Sequence, residues 1–524
     1  MYKRLRIWLF VLLGTLLASS TLLAEGVITM TTSKAVGETI SLGIEANGNV
    51  TIEGAQEVEA DANGFKYYTI KSQVVVIRGD VTDLHCSENQ LTSLDVSGCT
   101  ALTELRCSEN QLTNLNVSGC TALTKLYCFS NQLTSLDVSK NTALEMLYCS
   151  ENQLTNLNVS DCTALTVLYC SENLLTSLDV SKNTFLTYLW CSSNQLTSLN
   201  VSDCTVLTML NCSENQLTSL DVSKSAALEV LYCSDNKLTS LDVSKNIALT
   251  ELNCYGNQLP SLDVSKNIAL KELYCGENQL TSLDVSKNTA LTILDCFSSK
   301  LTNLDVSKNV ALTELNCYDN QLRSLDVSKS AALTDLDCSY NQLTSLDLSQ
   351  NTALTKLDCS WNQLTNLDVS KNTALTSLSC FDNQLTSLNV SKNRALTTLS
   401  CGGNQLTSLD LSKNTALTEL NCPDNQLTSL DVSKNTALES LECSINQLTS
   451  LNISGCARLE DLYCFSNCIN GEAMTKLVNS LPNRKGMSSG SLWVVSRFSK
   501  KGDKNRCSAA DVTTAKKKNW EVQQ

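Results

Sequence analysis

The stretch from Leu417 to Ala437 reads LTELNCPDNQLTSLDVSKNTA, and this 21-residue repeat builds most of the chain. When its residues are numbered 1 to 21, position 6 is cysteine in 19 successive repeats, from Cys86 to Cys464. Position 9 is asparagine in 18 of these 19 repeats, and Ser299 is the exception. A period kept without insertions is typical of a solenoid, in which each repeat buries its apolar side chains against its neighbours.

Each repeat consists of two related halves. In the first half the leucine at position 4 and the cysteine at position 6 are expected to point inward, and in the second half the aliphatic residues at positions 14 and 16. A spacing of two is strand periodicity, so the pattern predicts a β-rich solenoid with parallel strands on both sides of the coil. Asparagine at position 9, and Asn, Cys or Ser at position 19, should bond backbone groups inside the turns.

The repeats occupy residues 81–469, as 18 full copies and a partial nineteenth. A solenoid exposes an apolar cross-section and open strand edges at each end, so both ends need a cover. Residues 25–80 alternate β-prone runs with glycine turns, which predicts a small β cap. Residues 470–524 break the period and predict an α/β cap with helices from Glu472 to Ser480 and from Ala509 to Lys518.

Residues 1–24 predict a secretory signal peptide. Lys3, Arg4 and Arg6 precede an apolar run from Ile7 to Ala18, and that run is short for a membrane span. Removing these three cations leaves 36 basic against 53 acidic residues. An exported and acidic chain argues against nucleic acid as a partner, and no later stretch has the length of a transmembrane helix.

The first half of the repeat has the motif LxxLxCxxNxL, which resembles the leucine-rich repeat consensus LxxLxLxxNxL. The nested 21-residue form with LxxLDV in its second half is similar to the bacterial class called IRREKO. The sequence LTSLDVSKNTALTELxC resembles the repeats of internalin-like surface proteins of the Bacteroidetes, such as those of Porphyromonas. The resemblance covers residues 81–469 and implies a leucine-rich repeat solenoid, but leucine-rich repeats serve many partners, so it indicates fold more firmly than function.

Twenty-six cysteines in an exported chain would ordinarily suggest disulfides. Nineteen of them share an inward position on parallel strands, where a bridge between neighbours would need unfavourable geometry, so we expect a ladder of buried thiols. The sequence contains no CxxC pair and predicts neither a metal site nor a cofactor. Cys468 and Cys507 fall outside the ladder and are a candidate disulfide.

The fold does not restrict which residues occupy positions 3 and 5, because their side chains should project outward from the first-half strand. From the third to the tenth repeat they are rich in aromatic and apolar residues, interrupted at position 5 by Asn211 and Asn253. Exposed patches of this kind tend to mark contact sites, although tyrosine is also simply a good strand residue. The predicted partner-binding residues are Tyr127, Met146, Tyr148, Val167, Tyr169, Tyr188, Trp190, Met209, Tyr232 and Tyr274.

The sequence predicts a binding protein and not an enzyme. It has one histidine, His85, and no nucleophile–base pair or phosphate loop that would indicate catalysis. The favoured hypothesis is an exported, surface-associated adhesion protein of internalin-like type, with a protein on a host or neighbouring cell as partner and a glycan as second choice. The alternative is a structural spacer of an envelope or matrix, without a specific ligand.

Overall fold

A computed structural model describes residues 26–60, 66–496 and 503–523. The predicted signal peptide, residues 1–24, lies outside these ranges. The chain divides into two compact units, Met1–Ala248 and Leu249–Gln524, which we call the N-terminal unit and the C-terminal unit.

The N-terminal unit begins with antiparallel strands. β1 pairs with β6 and β8, β2 pairs with β5 and β7, β3 pairs with β6, and β4 pairs with β5. β7 belongs to the first repeat and also pairs in parallel with the strand of the second repeat, so β2 covers what would otherwise be the open edge of the parallel sheet. These strands are β1 (Val27–Thr32), β2 (Thr39–Ala46), β3 (Thr51–Glu53), β4 (Ala55–Ala60), β5 (Lys66–Ile70), β6 (Val74–Arg78), β7 (Val81–His85) and β8 (Leu91–Asp95).

From the second repeat onward, the first half of each repeat forms a three-residue strand at positions 3 to 5. Successive strands pair in parallel and in register within each unit, so the same position of neighbouring repeats lies side by side. In the N-terminal unit they are β9 (Glu104–Arg106), β10 (Lys125–Tyr127), β11 (Met146–Tyr148), β12 (Val167–Tyr169), β13 (Tyr188–Trp190), β14 (Met209–Asn211) and β15 (Val230–Tyr232). In the C-terminal unit they are β16 (Glu251–Asn253), β17 (Glu272–Tyr274), β18 (Ile293–Asp295), β19 (Glu314–Asn316), β20 (Asp335–Asp337), β21 (Lys356–Asp358), β22 (Ser377–Ser379), β23 (Thr398–Ser400), β24 (Glu419–Asn421), β26 (Ser440–Glu442) and β28 (Asp461–Tyr463).

The predicted leucine-rich repeat solenoid of parallel strands is confirmed, but its two sides differ in regularity. On the second side, full pairing joins β25 (Ser429–Asp431) to β27 (Ser450–Asn452). Isolated parallel bridges occur elsewhere on that side, for example between Asp137 and Asn158. The aspartate at position 15 there accepts a bond from the N–H two residues later, as Asp410 does from Ser412 at 2.9 Å. This local turn ends the extended segment soon after it begins.

The core consists of the inward leucine, cysteine and valine positions. In one repeat, Leu375, Leu378, Cys380 and Leu385 are each 0 % exposed. The same positions are buried in every repeat, so each coil has apolar neighbours above and below it within its unit. Full burial of such side chains stabilises by about 1.5–3 kcal/mol each, which offsets the entropy of ordering the chain.

The asparagine at position 9 bonds the backbone of two successive coils. Asn341 donates from Nδ2 to the carbonyls of Cys317, Cys338 and Ser339 at 2.9, 3.2 and 3.1 Å. Its Oδ1 accepts from the N–H of Leu322 at 3.0 Å. Both the donor and the acceptor of this side-chain amide therefore have partners within a buried turn, as predicted for position 9. We call the row of these asparagines the asparagine ladder.

Position 19 forms a second, simpler ladder. Asn372 donates to the carbonyls of Leu348 and Asn351, at 3.1 and 2.8 Å. Where cysteine replaces this asparagine, as at Cys120, the thiol donates to the carbonyl of Val96 at 3.3 Å. A thiol is a weak donor, so this substitution keeps one bond of the ladder at reduced strength.

The far end of the array is covered by two helices and two strands. They are α1 (Glu472–Ser480), α2 (Ala509–Lys517), β29 (Gly490–Trp493) and β30 (Trp520–Gln523). β28, β29 and β30 pair in parallel, so the last two strands extend the sheet of the repeats. Both helices begin where the sequence predicts, and Ser508 caps α2 through a capping box with Asp511.

Asn505 reproduces the asparagine of a further repeat, although it lies outside the 21-residue period. Its Nδ2 donates to the carbonyls of Cys464 and Val494 at 2.8 and 2.7 Å, and its Oδ1 accepts from the N–H of Ile469 at 2.8 Å. The C-terminal segment therefore satisfies the last turn of the array with the same chemistry that joins the repeats.

None of the helices in the described ranges has the length and apolar character needed to cross a bilayer. In that same part of the chain, no group of three or more His, Cys, Asp or Glu residues is placed to hold a metal ion.

We predict that Ser299→Asn stabilises the protein. The Ser299 hydroxyl is buried and has no hydrogen-bond partner among the described residues, whereas Asn320 of the next repeat makes the full set of bonds. The substitution should raise the free energy of unfolding by about 1–3 kcal/mol, measured by chemical denaturation. The reverse change, Asn341→Ser, should lower it, and a stabilising effect of that control would contradict the role assigned to the ladder.

We predict that the 24 buried cysteines resist alkylation in the folded protein. Burial raises the pKa of thiols in the ladder, to about 12 at Cys86 and Cys254, and only Cys468 and Cys507 are partly exposed. Since the thiolate is the reactive form, mass spectrometry of the folded, alkylated chain should show no modification at the other 24 sites. The disulfide between Cys468 and Cys507 remains a prediction; 26 alkylated thiols after denaturation without reductant would exclude it.

Candidate functional site

The outward surface of the parallel strands is set by the alternation of side chains. Position 4 of each strand is buried, as at Leu147 and Leu168, so positions 3 and 5 project to the opposite side. Because the strands pair in register, each projecting residue stands beside its counterpart in the next repeat. A residue type that recurs at position 5 therefore forms a row across the sheet.

Four position-5 residues of the N-terminal unit form a continuous ring stack, which we call the first aromatic stack: Tyr127, Tyr148, Tyr169 and Trp190. Ring centroids are 4.7 Å apart between Tyr127 and Tyr148, and 4.9 Å apart between Tyr169 and Trp190, with interplanar angles of 16° and 13°. The middle pair, Tyr148 and Tyr169, lies at 4.7 Å and is tilted to 66°. These separations match the distance between neighbouring strands, so the register itself brings the rings into contact.

The first aromatic stack is half-buried and uncharged. The rings shield one another from water, and this burial raises the pKa of Tyr148 and Tyr169, with a smaller contribution from neighbouring tyrosines. At one end, the guanidinium carbon of Arg106 lies 4.7 Å from the centroid of the Tyr127 ring, a cation–π contact. At the other end, the Nε1 atom of Trp190 is buried and has no hydrogen-bond partner among the described residues.

The position-3 residues beside the stack differ in exposure. Tyr188 is 39 % exposed, whereas Val167 is only 7 % exposed and offers little area for contact. Met146 and Met209 are half-buried. The predicted stripe is therefore widest near Tyr188 and Trp190.

The structure does not join all the predicted residues into one row. Asn211 separates Tyr232 from Trp190 in the register of the sheet. Tyr274 belongs to the C-terminal unit, where it lies between Asn253 and Asp295, and its hydroxyl is 3.0 Å from a carboxylate oxygen of Glu272.

A second set of rings, which sequence reasoning missed, follows the strands of the C-terminal unit. Four of its rings lie at position 7 of the repeat and two at position 8, so a comparison at one fixed position shows only part of it. Centroid separations between consecutive rings range from 5.1 to 6.2 Å. We call this set the second aromatic row: Tyr255, Phe297, Tyr318, Tyr340, Trp361 and Phe381.

The position-5 residues beside the second aromatic row include half-buried carboxylates. Burial raises the pKa of Asp295 to about 6, with a smaller contribution from the charge of Asp337. Burial also raises the pKa of Asp337, against the bonds from Ser339 and with the repulsion of Asp358. These carboxylates are close enough to repel one another. The concentration of acidic side chains makes this face electronegative.

Comparison with known structures shows which proteins this chain resembles. It aligns with the functional domain of InlJ from Listeria monocytogenes at 36% identity and a TM-score of 0.60, over 71% of this chain and 78% of that one. A leucine-rich repeat protein of Leptospira interrogans matches at 25% identity and a TM-score of 0.57, over 67% and 91% of the two chains. YopM from Yersinia enterocolitica matches at 25% identity and a TM-score of 0.58, over 74% and 88%. No family model and no curated protein matches the chain.

The chain belongs to the internalin-like leucine-rich repeat proteins. The InlJ domain is described as including a cysteine ladder. The internalin-like array described here has its own ladder, with position-6 cysteines that are 0 % exposed from Cys86 to Cys464. The ladder contributes packing rather than chemistry, because burial raises the pKa of the thiols far above the physiological range.

We predict a pH dependence that isolates Asp295. Because burial favours the neutral acid, the folded chain binds this proton more tightly than the unfolded chain does. The resulting stability is fully present below the ordinary aspartate pKa and is lost as pH rises through about 6. In denaturation experiments, the free energy of unfolding of Asp295→Asn relative to the parent should therefore increase between about pH 4 and about pH 8, by up to about 2 kcal/mol.

Asp410→Asn is the control for this measurement. The N–H of Ser412 holds the pKa of Asp410 below its usual range, so its contribution is present at neutral pH and is lost as pH falls. Between about pH 4 and about pH 8 the Asp410→Asn difference should therefore stay nearly constant, while the Asp295→Asn difference increases. A pH-independent difference for Asp295→Asn would show that its carboxyl group titrates normally.

Proposed function

We propose that this protein is an exported, surface-associated adhesion protein of internalin-like type. It contacts a partner protein through the first aromatic stack and the adjoining residues Tyr188 and Met209. The proposal rests on the geometry of the N-terminal unit, on the similarity to InlJ and on the predicted signal peptide.

The single observation that carries the proposal is the ring stack itself. Its four rings lie on the outer surface of a sheet on which most other repeats have a polar or charged residue at the same position, such as Arg106, Asn211 and Asp337, so the fold does not require a ring there. A rigid row of Tyr and Trp with few rotatable bonds loses little entropy on binding, and these residue types dominate the energetic centres of protein interfaces.

Trp190 also supports a contact with a partner. A buried N–H without an acceptor costs about 1–3 kcal/mol, so this tryptophan is not explained by stability. Departures from local stability rules are expected at functional positions.

Export and adhesion are supported by different features. The cationic start and apolar run of residues 1–18 support export. The part of InlJ that this chain resembles is the functional domain of that protein, which supports a role for the repeats themselves and not only for a neighbouring segment.

The test is an alanine series on the first aromatic stack. Purified parent protein and the variants Tyr148→Ala, Tyr169→Ala and Trp190→Ala are compared for binding to an array of extracellular protein domains and to an array of glycans. Each substitution should weaken binding to the protein ligand by about tenfold or more, because truncating an interface anchor costs about 2 kcal/mol.

Phe185→Ala is the matched control, since Phe185 is an aromatic residue of the same unit that is 62 % exposed and lies off the strand. It should bind like the parent. Unchanged binding by all three stack variants, or binding to glycans alone, would contradict the proposal. A parent that binds neither array would favour the structural spacer.

A further inference from the structure

Two neighbouring repeats of the C-terminal unit place an exposed aromatic residue at position 8. Tyr340 and Trp361 are each 45 % exposed, and their rings stack at 5.1 Å with an interplanar angle of 20°. In the other repeats position 8 is Glu, Asp, Ser or Gly, except at Ile445. This pair of rings is therefore a local departure from the pattern of the array.

The backbone makes this departure unfavourable for stability. Position 8 adopts a left-handed conformation throughout the array, with φ of 51° at Tyr340 and 53° at Trp361. Bulky side chains rarely occupy that region, whereas Asp, Asn and Gly tolerate it. Since nearly half of the surface of each residue remains exposed, burial offsets only part of the conformational cost, and a contact with another molecule is the simplest reason to keep them.

The neighbouring rings make these two residues part of a rigid surface. Tyr318 lies 5.3 Å from Tyr340, and Phe381 lies 5.9 Å from Trp361, measured between ring centroids. The Phe381 ring packs over Gly402, where a Cβ atom would approach Phe381 Cε2 to 2.6 Å. The glycine makes room for the ring, so the row is held in place before any partner arrives.

The charge around the second aromatic row is strongly negative. Across positions 3, 5 and 8 of the repeats with Cys296 to Cys380, seven carboxylates oppose one cation, Lys356. That lysine is already paired with Asp335, at 3.2 Å. The seven carboxylates are Asp295, Glu314, Asp319, Asp335, Asp337, Asp358 and Asp382.

Two of these carboxylates are oriented by their own turns. Asp337 Oδ1 accepts from the N–H and the hydroxyl of Ser339, at 2.9 and 2.5 Å. Asp358 Oδ1 accepts from the N–H of Ser360 at 2.9 Å. These bonds use one oxygen of each group and leave the other for a donor from outside. In the same two repeats, Tyr340 and Trp361 follow Asp337 and Asp358 three residues later.

We propose that the second aromatic row, with Asp337 and Asp358, binds an extended cationic peptide segment of a partner protein. Arginine or lysine side chains of the segment stack on Tyr340 and Trp361 and pair with the two carboxylates. The inference goes beyond the proposed function, because it concerns a separate surface in the C-terminal unit.

The dimensions and the chemistry of the surface fit such a segment. Five repeats from Phe297 to Phe381 cover about 19 Å at the strand spacing of about 4.8 Å, which an extended peptide spans with about six residues. The chain itself shows the contact type, since the Arg106 guanidinium lies over the Tyr127 ring at 4.7 Å. A neutral glycan would use the rings but would gain nothing from the excess of carboxylates around them.

The test uses the full chain and a fluorescent peptide of about eight residues that alternates arginine and serine, long enough to cross the surface. Fluorescence anisotropy should show saturable binding that weakens between about 50 mM and about 500 mM salt. The double variant Tyr340→Ser/Trp361→Ser and the double variant Asp337→Asn/Asp358→Asn should each weaken binding by about tenfold or more. Serine already occupies position 8 at Ser298, so the first double variant should unfold no more easily than the parent.

Ile445→Ser is the matched control, because Ile445 has the same backbone conformation, with φ of 52°, and is 46 % exposed. It should bind the peptide like the parent. Equal peptide binding by the parent and the Tyr340→Ser/Trp361→Ser variant would show that the peptide binds only through non-specific charge attraction. This result would overturn the proposal. Binding of the neutral oligosaccharide cellohexaose that depends on Tyr340 and Trp361, without binding of the peptide, would overturn it in favour of a glycan site. A loss of partner binding at the first aromatic stack would leave the peptide result and the cellohexaose result unchanged, because they concern a separate surface.

Discussion

Each turn of the array depends on one buried amide group. The asparagine at position 9 donates to three carbonyls and accepts from one N–H, as Asn341 does, and no other short side chain has this combination of donors and an acceptor. It ties its own turn to the preceding coil and fixes the backbone around it, including the left-handed residue at position 8. Because these bonds recur along the array, with Ser299 as the exception, adjacent coils keep one register and the inward leucines and cysteines meet.

This constraint explains why the surface is free to vary. Once the buried amide and the inward side chains determine the coil, positions 3, 5, 7 and 8 contribute little to folding. The same strand can then display Tyr169 in one repeat and Asp337 in another without a change of backbone. Variation at these positions is therefore informative in a way that the repeated core is not.

The two units use this freedom differently. In the N-terminal unit the rings lie at position 5, directly on the strands, and form an uncharged stack. In the C-terminal unit position 5 is acidic in several repeats, and the rings of the second aromatic row lie in the turn that follows the strand. One scaffold thus presents an apolar aromatic surface and an acidic aromatic surface, which suit partners of different charge.

The sequence by itself determined the solenoid, the inward positions, the asparagine ladder and both cap helices, because each depends on local spacing that recurs or on local turn chemistry. It also located the first aromatic stack, since Tyr127 to Trp190 share one position of the repeat. Only the tertiary structure showed that Val167 is covered, that Asn505 completes the last turn from outside the period, and that the rings of Tyr340 and Trp361 stack on each other. These features depend on how side chains of different segments cover and contact one another in space, and a one-dimensional period does not show this.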